Sequence, residues 1–202
     1  MVKRMITIID YKSGNLKSIS NAFKRIGADY RISDDRQIIA DSDYLVLPGV
    51  GAFGSAMVNL KAFEDVIHEH INDDKPFLGI CLGQQVLMSK SRESPGVKGL
   101  DIFKGCAEIL SDDVKIPHMG WNQLNVVNDS PLLEGIDKDY FYFVHSFHVV
   151  PDDESIIAGT CDYGGDIVAS LSSNNLFSTQ FHPEKSGEAG LKILKNFVNL
   201  EF

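Results

Sequence analysis

The chain has 202 residues and a formal net charge of −9; it is long enough for one substantial core, and its acidity, with no basic cluster, excludes nucleic acid as a natural partner and argues against this chain itself holding a multiply phosphorylated substrate. Forty-four per cent of residues are hydrophobic, yet no apolar run is long enough to span a bilayer. The three cysteines, Cys81, Cys106 and Cys161, are far apart and contain no C-x-x-C pair, which suggests neither a disulfide framework nor a metal site and fits a reducing cytoplasm.

Met1-Val2-Lys3-Arg4-Met5-Ile6 lacks the apolar core of a signal peptide and leads straight into a strand over 5–10. A helix follows over 15–26, with Leu16, Ile19, Phe23 and Ile26 at helical spacing and Gly27 as its stop. A short strand over 30–32 and an apolar strand over 44–47, broken by Pro48, come next. Then come a glycine-rich turn, Gly49-Val50-Gly51-Ala52-Phe53-Gly54, and a helix over 55–71 with Met57, Leu60, Ile67 and Ile71 on one face. Residues 77–80 form a strand that runs into Cys81, and 84–90 continue as a helix. Strands alternating with helices predict a mostly parallel sheet flanked by helices. After residue 92 the character changes. A polar stretch over 93–99 gives way to strand-like runs over 106–110, 123–127, 140–144, 156–160, 167–171 and 176–181. A last helix, 187–200, turns Leu191, Leu194 and Val198 inward and starts at Ser186 as N-cap. The expectation is one α/β domain over 1–202 with a β-rich second half.

The chemistry centres on Gly79-Ile80-Cys81-Leu82-Gly83. A cysteine at a strand-to-helix turn between glycines is the thiol counterpart of a nucleophile elbow, and a helix starting there points N–H groups and partial positive charge at the sulfur. On its own, Cys81 reads equally well as a buried core thiol. Gly49-x-Gly51-x-x-Gly54 matches the dinucleotide fingerprint but sits after the third strand rather than the first, so it reads as a flexible turn whose backbone N–H groups can serve an oxyanion. Of six histidines, His68 and His70 read as solvated helix residues, His118 as part of a loop over 116–122, and His145 and His148 as poor joint metal ligands. His182 ends a strand, and Glu184, two residues on past Pro183, can bond its second ring nitrogen. Cys81, His182 and Glu184 thus make a nucleophile–base–orienter set suited to attack on an acyl or amide carbon. Nothing in the spacing asks for a metal or a cofactor.

With these residues in place the chain resembles the class I, triad-type glutamine amidotransferases, through Gly79-Ile80-Cys81-Leu82-Gly83 and Phe181-His182-Pro183-Glu184. Asp10-Tyr11-Lys12-Ser13-Gly14-Asn15-Leu16, the Pro48–Gly54 turn, Pro117-His118-Met119-Gly120-Trp121-Asn122, Tyr142-Phe143-Val144-His145-Ser146-Phe147 and Gln180-Phe181-His182-Pro183-Glu184-Lys185-Ser186-Gly187 extend the likeness over nearly the whole chain. Gln84 and His148 depart from the family pattern without touching the triad. The resemblance implies a flavodoxin-like fold and glutamine as substrate. It gives Cys81, His182 and Glu184 the catalytic roles, and Leu82 with Val50 or Gly51 the oxyanion donors, the last after a peptide flip that Gly51 makes easy. It implies that Gln85 and Glu93 hold the α-amino end of glutamine, and Ser146 and Phe147 its carboxylate. It also implies a heterodimer with a (βα)8-barrel cyclase subunit, which takes up the ammonia and binds a bis-phosphorylated ribulosyl substrate, with Asp10, Asn15, Met119, Gly120 and Trp121 facing that partner. Before the resemblance, Trp121 reads equally as a core plug. Other readings are the glutaminase of pyridoxal phosphate synthase or of another amidotransferase, a stand-alone γ-glutamyl hydrolase, and a non-enzymatic scaffold on the same fold.

Overall fold

The computed structural model describes residues 5–136 and 138–201; the expected lead-in over residues 1–4 lies outside them. In the first half, strands β1 (Ile6–Ile9), β2 (Tyr30–Ser33), β3 (Tyr44–Gly49) and β4 (Phe77–Cys81) alternate with helices α1 (Leu16–Arg25), α2 (Arg36–Ala40), α3 (Phe53–Leu60) and α4 (Glu64–Asn72). A short helix, α5 (Leu82–Gln85), follows the elbow. The second half holds β5 (Met88–Ser91), β6 (Phe103–Ile109), β7 (His118–Gln123), β8 (Asn125–Val126), β9 (Tyr140–His145), β10 (Phe147–Pro151), β11 (Ile157–Asp162), β12 (Asp166–Ser173) and β13 (Leu176–Thr179), closed by α6 (Gly187–Val198).

The main sheet runs β2-β1-β3-β4-β13-β12-β11-β8. Its first five strands are parallel and the last three join antiparallel. Side chains of a strand alternate between faces, and two cores result. Ile6, Ile8, Tyr44, Val46, Leu78 and Ile80 pack with Ile19 and Phe23 of α1 and Leu194 and Phe197 of α6. Ile9, Leu45, Leu47 and Phe77 pack with Phe53 and Leu60 of α3 and Ile67 of α4. Burial on both faces is why these strands are continuous apolar runs. The chain-distant β13 lies beside β4, with Thr179 opposite Ile80, and this pairing carries the segment after β13 to the same sheet edge as Cys81.

Four expectations need correction. The helix over 55–71 is two helices: a turn at Lys61 and Ala62 leads to buried Phe63, which starts α4. Leu60 and Ile67 lie seven residues apart, a spacing that one unbroken helix would also show. The helix over 84–90 stops at Gln85, because Met88–Ser91 pairs with β6 in a separate three-stranded sheet, β10-β6-β5; strand pairing here overrides helix propensity. Residues 118–122 form β7, which pairs with β9 as a two-stranded ribbon. His70 is buried, and its Nε2 donates to the Pro76 carbonyl at 3.0 Å; burial pushes its pKa down to about 4. Helix α2 and strands β5 and β10 had no counterpart in the pattern.

Candidate active site

Cys81 joins β4 to α5 with φ 56° and ψ −108°. A positive φ is uncommon for a residue with a side chain and marks a strained turn. Packing enforces it: a Cβ on Gly83 would fall 1.9 Å from the Leu47 carbonyl oxygen, so only glycine lets the elbow press against β3. The register sets Gly49 opposite Cys81, so the chain leaving β3 emerges level with the nucleophile. With only four residues, α5 brings a smaller dipole to the sulfur than a helix reaching residue 90; the local N–H groups remain.

His182 follows β13 and is almost fully buried. Its Nδ1 lies 2.8 Å from Glu184 Oε1, so the two-residue spacing does bring base and carboxylate together. Pro183–Lys185 forms a single 3-10 turn that makes this contact. The main chain is pinned as well. His182 N–H donates to Tyr142 O at 2.9 Å, and the Ser186 hydroxyl donates to His182 O at 2.7 Å and accepts from Tyr142 N–H. Ser186 sits at the N-cap position of α6, but its side chain serves this turn instead of the helix. His182 Nε2 has no hydrogen-bond partner among the described residues. Burial works against an imidazolium there, but Cys81 and Glu184 outweigh it and raise the pKa to about 9. An ionised Cys81 and the Glu184 carboxylate both favour the protonated form of His182.

A cavity of about 360 Å³ opens beside the elbow, within the range of small-ligand sites. Its lining takes in Cys81, Leu82, Val50 and Gly51, together with Gln85, Glu93, Ser146 and Phe147. Gly51 has φ +107° and open space where a Cβ would stand, and Val50 is 41% exposed. The tip of the turn, Val50 and Gly51, is thus loosely packed, while Gly49 and Gly54 on either side are closely held. Glu93 Oε2 accepts from the Phe53 N–H at 2.6 Å, at the start of α3. Gln85 Nε2 donates to Phe147 O at 2.9 Å. Pro117, Val144 and His145 complete the lining and were not among the expected site residues.

The family model described as Glutamine amidotransferase class-I matches residues 7–200. The chain belongs to that family. It is 57% identical to the imidazole glycerol phosphate synthase subunit HisH of Methanothermobacter thermautotrophicus, over 97% of this chain and 98% of that one. It is 50% identical to the HisH subunit of Aquifex aeolicus, over 94% of each. The solved structure of PurLQS from Thermotoga maritima shares the fold, with a TM-score of 0.77 at 21% identity over 98% of this chain and 99% of that one. Within the class I amidotransferases this is a HisH-type chain, a glutaminase subunit of imidazole glycerol phosphate synthase.

The residues expected to face a partner subunit of this amidotransferase lie outside the cavity. Met119 and Trp121 project from β7, 63% and 57% exposed, so Trp121 is no core plug; its ring meets Tyr142 edge-on at 6.2 Å. Gly120 between them has φ +139°. Asp10 is half-buried at the end of β1 and accepts from Lys12 at 3.2 Å. Asn15 is exposed and caps α1 through Ser18 N–H.

Two further features escaped the sequence. His145 Nδ1 donates to Phe147 O at 2.9 Å, and its Nε2 lies 3.0 Å from His118 Nδ1. A carbonyl only accepts, so His145 carries a proton on Nδ1, and in its neutral form its Nε2 accepts from the Nδ1–H of His118. Burial lowers His145 to about 3 and His118 to about 4. Gln84, one of the departures from the family pattern, is fully buried and accepts from Ser178 Oγ at 3.0 Å.

Proposed function

We propose that Cys81 attacks the side-chain carboxamide carbon of glutamine and that the ammonia released is passed to a (βα)8-barrel cyclase subunit. The observation that carries this reading is a cavity holding a thiol on a strained elbow, together with a buried histidine whose Nδ1 is held by Glu184 at 2.8 Å. The imidazolium of His182 protonates the departing ammonia, and Glu184 holds its ring. The Leu82 N–H and a donor from Val50 or Gly51 meet the tetrahedral oxyanion. Water then cleaves the thioester and glutamate leaves. Gln85 and Glu93 hold the α-ammonium; the carboxylate of Glu93, fixed against Phe53 N–H, suits a cation. Backbone donors of Ser146 and Phe147 hold the α-carboxylate.

Ammonia freed into bulk water would be protonated and lost, so the product needs a sheltered route. The cyclase subunit receives it and converts the bis-phosphorylated ribulosyl intermediate PRFAR into imidazole glycerol phosphate and AICAR, in histidine biosynthesis. Asp10, Asn15, Met119, Gly120 and Trp121 face this partner. The whole chain, 1–202, acts as one amidotransferase domain, and the reading includes a cytoplasmic location, which three free cysteines suit. No helix among the described residues is long and apolar enough to cross a membrane.

A glutaminase assay with and without the cyclase and its nucleotide ligand tests the reading. Turnover should be slight alone and rise steeply in the loaded complex. Full turnover in isolation would favour a stand-alone γ-glutamyl hydrolase.

A further inference from the structure

We propose that Gln180 is a further catalytic residue of this amidotransferase: its side-chain amide is locked so that an N–H donates to the Cys81 sulfur and favours thiolate over thiol. The inference rests on Cys81 being the nucleophile. Gln180 is fully buried, and its Nε2 lies 3.7 Å from Cys81 Sγ, a normal span for an N–H···S contact.

The direction of the amide is fixed by chemistry. Phe147 O can only accept, so the Gln85 side chain must turn its NH2 toward it, at 2.9 Å. The second hydrogen of that NH2 reaches Gln180 Oε1 at 3.2 Å. Gln180 therefore presents its oxygen to Gln85 and its nitrogen to the sulfur. Turning the amide over would set two NH2 groups against each other and an oxygen against the sulfur. The backbone of Gln180 is held too, with its N–H on Ala169 O at 2.8 Å. A second contact pulls the other way: Cys81 Sγ lies 3.9 Å from the Val144 carbonyl oxygen, an acceptor that suits S–H and opposes S⁻. A thiol is a weak acceptor and a thiolate a strong one. Gln180 is thus the neutral donor that sets the balance at the sulfur, beside the charged His182.

The arrangement also links two parts of the site. The Phe147 carbonyl accepts both from Gln85 and from His145 Nδ1. The chain Phe147–Gln85–Gln180–Cys81 thereby joins the segment proposed to hold the glutamine carboxylate to the attacking atom.

The test is the pH profile of Cys81 alkylation by iodoacetamide in the full chain, read by peptide mass spectrometry, for wild type, Gln180→Leu and Gln180→Glu. In wild type Cys81 should react well ahead of Cys106 and Cys161. Without the donor, the midpoint should move up by about one pH unit and the rate at neutral pH should fall about tenfold. In the complex, glutaminase kcat should fall while KM stays within about twofold. Gln180→Glu keeps an acceptor for Gln85 and sets a carboxylate oxygen near the sulfur, so it should lose more than Gln180→Leu at neutral pH and keeps the test open if the leucine variant fails to fold. A folded variant with a wild-type profile would overturn the role of Gln180 alone. A wild-type Cys81 no faster than Cys106 would remove the nucleophile reading, and this proposal with it.

Discussion

Two cavities lie at opposite ends of β4, and the smaller one holds the chemistry. The larger, about 730 Å³, flanks the starts of β4 and β13 and is lined by Asp74, Lys75, Lys104, Asn174 and Asn175 among others. Its ionic groups meet water or each other, as in the exposed pair Lys104–Asp101 at 2.6 Å. The smaller, about 360 Å³, has a thiol on a strained turn and nearby a buried histidine raised to about 9. Volume thus says little about function. What separates the two ends is desolvation and converging donors around a buried thiol and histidine, which cost stability and are kept where they serve a reaction. The end of the strands where they converge is also where open α/β sheets bind ligands.

The comparison breaks most sharply at the sulfur. Cys81→Ala should abolish glutamine-dependent product formation, while the assembled complex still uses ammonium salts; loss of both reactions in a properly assembled complex would refute the division of labour. Glu184→Gln should follow, with turnover down by about 10²–10⁴. Its pH dependence has a definite sign. His182 is protonated below its raised pKa of about 9, so wild-type kcat should fall as pH rises through about 9, and the limb should move to lower pH in Glu184→Gln. The same linkage makes the stabilisation from His182 full below the ordinary histidine pKa of about 6.5 and lost as pH rises through about 9. Gly51→Pro should cut turnover by about 10²–10³ with glutamine binding retained, since proline cannot reach the positive φ of this turn; unchanged turnover would remove the turn from the mechanism. At the other end of β4, Lys104→Ala should leave both turnover and melting temperature within assay error, because an exposed ion pair contributes little. A marked loss there would mean that the larger cavity acts.

The parallel half of the fold and the triad were legible because their signals are local. Buried strands read as apolar runs at β3 and β4, glycines bracket Cys81, and two residues of spacing bring His182 and Glu184 together. The misreadings at β7 and β5 share one physical origin, contacts between residues distant in the chain. The 118–122 segment looks like a loop until β9 supplies its partner strand, and Met88 looks helical until β6 does. His70 looks solvated because the carbonyl it meets belongs to the loop after α4. Gln180 stood in a recognised motif, but no pattern along the chain shows that an amide 99 positions from Cys81 donates to its sulfur.

The exposed ring of Trp121 has a practical corollary. It is the only tryptophan in the chain, it stands 57% exposed on the ribbon proposed to meet the cyclase, and aromatic side chains at such surfaces exchange water for an apolar surface on docking. The subunit therefore carries a native optical reporter. Its emission should shift to shorter wavelength as the complex forms, so assembly can be titrated by fluorescence with no label, provided the partner's own tryptophans are replaced or subtracted.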